Sequence, residues 1–109
     1  MRLPPPKVEV VQGFQVVRDD LLPGGTKQRV LTPWVADHPG GIFVYAGPAY
    51  GMAQVALALA CRDSGKKAVL FTAKRKVLHP RSEAAKAAGA EVREVPFGYL
   101  NVVRKAALD

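Results

Sequence analysis

Two hydrophobic rhythms run along this chain, and the change from one to the other divides it. The opening LPPPK, residues 3–7, has no period and reads as an extended arm. Two β-prone runs follow, Val8 to Val11 and Phe14 to Arg18, on either side of Gln12-Gly13, a pattern that predicts a hairpin or bent strand pair. Pro23-Gly24-Gly25 breaks it. From Thr26 to Val35 the apolar residues Val30, Leu31, Trp34 and Val35 recur at helical spacing, which predicts a short helix whose end Pro33 blurs. Asp37 to Gly41 reads as loop.

Beyond Gly41 the rhythm is regular. The run GIFVYA is continuously apolar, as expected of a strand buried on both faces. After the turn GPAYG, the alanine-rich MAQVALALACRDSG predicts a helix stopped at Gly65. Lys67 to Ala73 predicts a second buried strand. HPRSEAAKAAG predicts a helix with Pro80 in its first turn and Gly89 closing it. AEVREVP is a third strand ending at Pro96, and GYLNVVRKAALD is a last helix. The order βαβαβα implies an α/β fold: a three-layer, open, mainly parallel sheet with helices on both faces and an N-terminal hairpin-like extension. Residues 1–40 then hold the arm, the β pair and the first helix. Residues 41–109 hold the βαβαβα unit, and the two form one compact piece.

Composition adds limits. Of the 109 residues, 49% are apolar, enough for a core, so wholesale disorder is excluded. The single cysteine, Cys61, rules out an internal disulfide and lies in an apolar helical run, as expected of a buried thiol in a reducing compartment. No leader-like segment opens the chain, and Met52 to Cys61, the longest apolar stretch, is too short to span a bilayer. The expectation is a cytoplasmic protein with no membrane partner. The net charge of +7 is uneven: eleven Lys/Arg face five Asp/Glu from Ala56 onward. Its densest cluster, Lys74, Arg75, Lys76 and Arg81, is either a solvated loop or a patch for phosphate or nucleic acid.

In open parallel sheets, ligands sit beyond the carboxyl ends of the strands. The turn YAGPAYG falls there, with Gly47 and Gly51 allowing close backbone approach and a helix start behind it. Neither a dinucleotide fingerprint nor a P-loop is present. His38 and His79 are far apart and no acidic cluster accompanies them, which argues against a metal site. Ser64 and Ser82, the only serines, lie at helix ends and read as capping or solvent residues. Lys27 stands out. It follows a glycine pair at a helix start, where the positive dipole end and Arg29 nearby would favour an amine reactive toward carbonyls. Read by its own neighbours alone, it is an ordinary surface lysine, since most lysines are exposed.

VVRDDLLPGGTKQRVL resembles the segment that carries the Schiff-base lysine in fold-type II, tryptophan synthase beta-like, pyridoxal-phosphate enzymes, nearest to the aminocyclopropane-carboxylate deaminase and D-cysteine desulfhydrase branch. Gly24, Gly25, Lys27 and Arg29 match the family's Gly-Gly-Asn-Lys segment, with Thr26 in place of the asparagine. The segment from FVYAGPAYG to AAGAEVREVP resembles the small domain of those enzymes, and the likeness spans roughly Val16 to Leu100.

The resemblance implies that Lys27 bonds to pyridoxal phosphate and shuttles the α-proton of a small amino acid during deamination or elimination. It places Gly47, Ala49, Tyr50, Gly51 and Gln54 around the cofactor. Two departures stand out. Ala49 and Tyr50 occupy the place of the family's Ser-Asn or Gly-Asn pair, and family enzymes are considerably longer, with their phosphate cradle in the additional part. The expectation is a truncated enzyme, or one needing a partner chain or a second copy. The alternatives are a non-catalytic remnant or assembly module with the same fold, and a basic phosphate- or nucleic-acid-binding domain.

Overall fold

The computed structural model describes residues 3–96 and 100–108. Its first element is an antiparallel hairpin of β1 (Val8–Val11) and β2 (Phe14–Val17), paired from Val8 with Val17 to Val11 with Phe14. Gln12 and Gly13 both take positive φ, 49° and 81°, as a two-residue hairpin turn of matching twist requires. Arg18 locks its base. The guanidinium bonds Glu9 at 2.7 Å and Asp20 at 2.9 Å, and these bonds hold both carboxyls below the usual carboxylate range. Val8, Val10, Phe14 and Val17 remain exposed on this arm.

Helix α1 (Gly25–Asp37) runs past Pro33 for four more residues, longer than its apolar spacing predicts. Pro33 is exposed, and it removes only the N–H that would have reached the Arg29 carbonyl. The buried face of α1 is Gln28, Thr32 and Val35, not the whole predicted apolar stripe. That face packs on α2, while Val30 and Trp34 stay more than half exposed beside it.

The sheet follows: β3 (Ile42–Ala46), α2 (Ala53–Asp63), β4 (Lys67–Ala73), α3 (Pro80–Ala87), β5 (Glu91–Val95) and α4 (Leu100–Leu108). The strands are parallel in the order β3-β4-β5, with Ile42 opposite Lys67 and Val69 opposite Glu91. Ala68 and Leu70 of β4 enter the main core with Val55, Leu57, Leu59 and Ala85. The alternate residues Val69 and Phe71 face the side on which α4 lies. Helices therefore cover both faces of the sheet, giving the α/β architecture that the βα alternation predicts.

One strand departs from expectation. The apolar run GIFVYA predicts burial on both faces, yet Ile42 is 65% exposed and Val44 52%. The reason is strand order. β3 pairs only with β4 among the described residues, so it is an edge, whereas the central β4 is buried on both faces. Only Phe43 of β3 is fully buried, edge-on to Trp34 with ring centroids 5.5 Å apart. No helix among the described residues is long and apolar enough to cross a membrane.

Candidate functional site

The two glycines before Lys27 are required for different reasons. A Cβ on Gly24 would lie 2.9 Å from the Ala56 Cα and 2.8 Å from the Gln28 Cβ, because the start of α1 presses directly on α2. Gly25 has open space around it but a φ of +66°, in the left-handed region that disfavours side chains. The Gly24 N–H donates to Gln28 Oε1 at 2.8 Å, closing the first turn. Lys27 is two residues beyond. The glycine pair thus fixes where the lysine's helix begins and how closely it meets α2.

Lys27 is exposed and is among the residues that line a cavity of about 460 Å³ between α1, β3 and the start of α2. Its walls are apolar: Val30, Leu31, Trp34, Phe43, Tyr45 and Leu57, with Thr26 as the polar neighbour. Among the described residues the Lys27 amine makes no hydrogen bond or ion pair. Arg29, placed by sequence as a positive charge beside Lys27, is instead engaged elsewhere. It pairs with the buried carboxylate of Asp19 at 2.8 Å and donates to the Pro4 carbonyl at 2.9 Å, tying the N-terminal arm to α1.

The glycine turn forms a second hollow, of about 300 Å³. Gly47, Ala49, Tyr50, Ala73, Arg75 and Val103 line it. The structure therefore groups Gly47, Ala49 and Tyr50 together and puts Lys27 in a different cavity. Tyr45 lines the first and abuts Gly47 of the second. Its ring lines the Lys27 cavity, and a Cβ on Gly47 would meet it at 2.6 Å, so this glycine is needed for the tyrosine as well as for any ligand.

Gln54 is 1% exposed, and its amide faces the protein interior. The two amide hydrogens go to the carbonyls of Ala49, at 2.5 Å, and Gly51, at 3.0 Å. Its Oε1 accepts from the Ser82 hydroxyl at 2.9 Å, which also approaches the Ala49 carbonyl at 3.1 Å. Gln54 thus holds the turn in place and presents no free group to a ligand. Ser82, read from sequence as a capping or solvent residue, is 0% exposed and completes this network from α3. No local signal marks it, because the contact reaches across 28 and 33 residues. Arg81 adds a bond from its guanidinium to the Tyr50 carbonyl at 2.5 Å. The Ala49–Tyr50 peptide is trans, so a carbonyl held inward turns the Tyr50 N–H away from that network.

Other reactive groups are set aside by their surroundings. Burial pushes the Cys61 thiol up, against a smaller opposing effect of Lys66, so it stays protonated and is shielded. The Lys66 ammonium is held by the carbonyls of Val35 and His38. Among the described residues no three His, Cys, Asp or Glu side chains gather as a metal site would need. No protein-family model and no curated protein matches the chain.

Proposed function

We propose that this chain is the lysine-bearing part of a pyridoxal-phosphate-dependent enzyme of the deaminase or lyase kind, acting on a small amino acid. The observation that carries the reading is that Lys27, on the first turn of a helix fixed by Gly24 and Gly25, is among the residues lining an otherwise apolar cavity. An amine in that setting suits covalent bonding to an aldehyde. The cavity also fits a flat heteroaromatic ring, with Tyr45, Trp34 and Leu57 as apolar walls. When bound, pyridoxal phosphate supplies an electron sink for the amino acid's α-carbon. Lys27 would hold the cofactor at its aldehyde carbon, and its amine would serve as the base for the amino acid's α-proton.

The phosphate has less to hold it. Thr26 is the polar neighbour in this cavity besides the lysine itself. The reading therefore includes a second polypeptide, another copy or a different chain, that completes the phosphate site. The same wall favours this, since Val30, Trp34 and Val44 leave an open apolar rim. A second reading, an assembly module without catalysis, rests on that rim alone.

The test is incubation with pyridoxal phosphate, borohydride reduction and peptide mapping by mass spectrometry. Lys27 should carry the reduced adduct in preference to the other lysines, and Lys27→Ala should abolish the associated absorbance. Labelling spread evenly over surface lysines would refute the proposal. Sedimentation velocity separates the second reading, which requires self-association or a partner without selective labelling.

A further inference from the structure

We infer that the hollow between the glycine turn and α4 is a second binding site, separate from the Lys27 cavity, for the phosphate group of a small molecule. It is at the carboxyl ends of β3 and β4, where Ala46 and Ala73 end their strands. That is where open parallel sheets hold ligands. Its volume of about 300 Å³ accommodates a phosphate with a small organic group attached.

The wall holds one cation, Arg75. Among the described residues its guanidinium makes no hydrogen bond or ion pair. The nearby carboxylate of Glu94 accepts from the Arg75 backbone N–H at 3.2 Å and not from the guanidinium. Lys74 and Lys76 flank Arg75, both exposed and both without an acidic partner among the described residues. Of the other exposed cations, Arg62, Lys67 and Arg93 each find a carboxylate within 4 Å, whereas Lys27 does not. Arg75 and its neighbours thus form a run of three exposed cations without a carboxylate partner among the described residues, beside the hollow that Arg75 lines. An arginine offers a planar fork of donors that matches phosphate oxygens, and the flanking lysines add attraction without geometric demand.

The opposite wall is fixed rather than loose. Gln54, Ser82 and Arg81 together hold the carbonyls of Ala49, Tyr50 and Gly51, so the turn keeps its shape without a ligand. Tyr50, exposed at the rim, brings a phenol that can donate to an anion. A concave, preformed hollow with one uncommitted arginine is better suited to a compact dianion than to a long polyanion, which would need cations spread along a surface.

The inference does not depend on Lys27, and its test is separate from cofactor labelling. Inorganic phosphate and phenyl phosphate are titrated into the nitrogen-15-labelled protein at constant ionic strength, with chloride as the reference. Saturable shifts are expected in the amides of Gly47, Ala49, Tyr50 and Arg75. Arg75→Gln should weaken binding about tenfold or more, as loss of a charge-assisted contact does, and Lys86→Ala on α3 should not. Tighter binding of phenyl phosphate than of inorganic phosphate identifies a phosphate monoester as the ligand; the reverse identifies the free ion. Unsaturable shifts over all basic residues, equal binding by Arg75→Gln, or preferential binding of an oligonucleotide through a wider surface would overturn the proposal.

Discussion

Gly24 and Gly25 are adjacent and chemically identical, yet replacing each by alanine should give different results. At Gly24 φ is −101°, which any residue adopts, so the obstacle is contact alone. The new Cβ would fall 2.9 Å from the Ala56 Cα and 2.8 Å from the Gln28 Cβ. Gln28 can shift only by disturbing its bond to the Gly24 N–H, and Ala56 is backbone in a helix whose residues Gln54 to Cys61 are all buried. Relief must come from moving α1 off α2. Overpacking of this kind costs about 1–3 kcal/mol, and contact with unyielding backbone puts Gly24→Ala near the upper end.

At Gly25 the added methyl meets nothing within 4 Å, and the cost is the left-handed φ of +66°, about 1–2 kcal/mol. Asparagine separates the two causes. Gly25→Asn should recover part of the loss, since asparagine tolerates this region, while Gly24→Asn should be at least as damaging as Gly24→Ala. Urea denaturation of the four variants measures this, with unchanged m-values confirming that the midpoints report stability. If Gly24→Ala costs less than Gly25→Ala, or Gly24→Asn is tolerated, the close approach of α1 to α2 is wrong. The position assigned to Lys27 would then fall with it.

Two further outcomes follow from the hydrogen bonds. Ser82→Ala should destabilise by about 1–2 kcal/mol, because it leaves Gln54 Oε1 buried without its donor; equal urea midpoints for the variant and the parent would contradict the network. The Arg18 bonds keep the carboxyls of Glu9 and Asp20 ionised to lower pH than their ordinary values of 4.5 and 3.8. Their contribution is therefore present above those values and lost as pH falls through the lowered ones. Carbon-detected NMR titration should find both midpoints depressed, and Arg18→Ala should return them toward the ordinary values.

The sheet was legible because its signals are local. Lys67 to Ala73 is delimited by glycine and a basic loop, and the strand has those bounds. Pro80 opens α3, and the hairpin turns at Gln12-Gly13, where short-range backbone preference decides. The edge position of β3 was not legible, since an apolar run says nothing about how many neighbours a strand has. Nor was the face of α1. Val30 and Trp34 keep the helical period, but α2 meets the side carrying Gln28 and Thr32, and only the crossing of the two helices determines that. The site divides in the same way. The position of Lys27 behind two glycines is a local feature, whereas its cavity depends on Tyr45, Phe43 and Leu57 from distant elements. The Ser82 contact has no trace in either segment that makes it.

Tyr45 lines the apolar cavity that Lys27 also lines, and its ring occupies the space that a Cβ on Gly47, in the second hollow, would need. A side chain at residue 47 would have to displace that ring. A change made at the second hollow is thereby transmitted to the apolar cavity, whose wall includes Tyr45, although residue 47 lies outside that cavity's own lining.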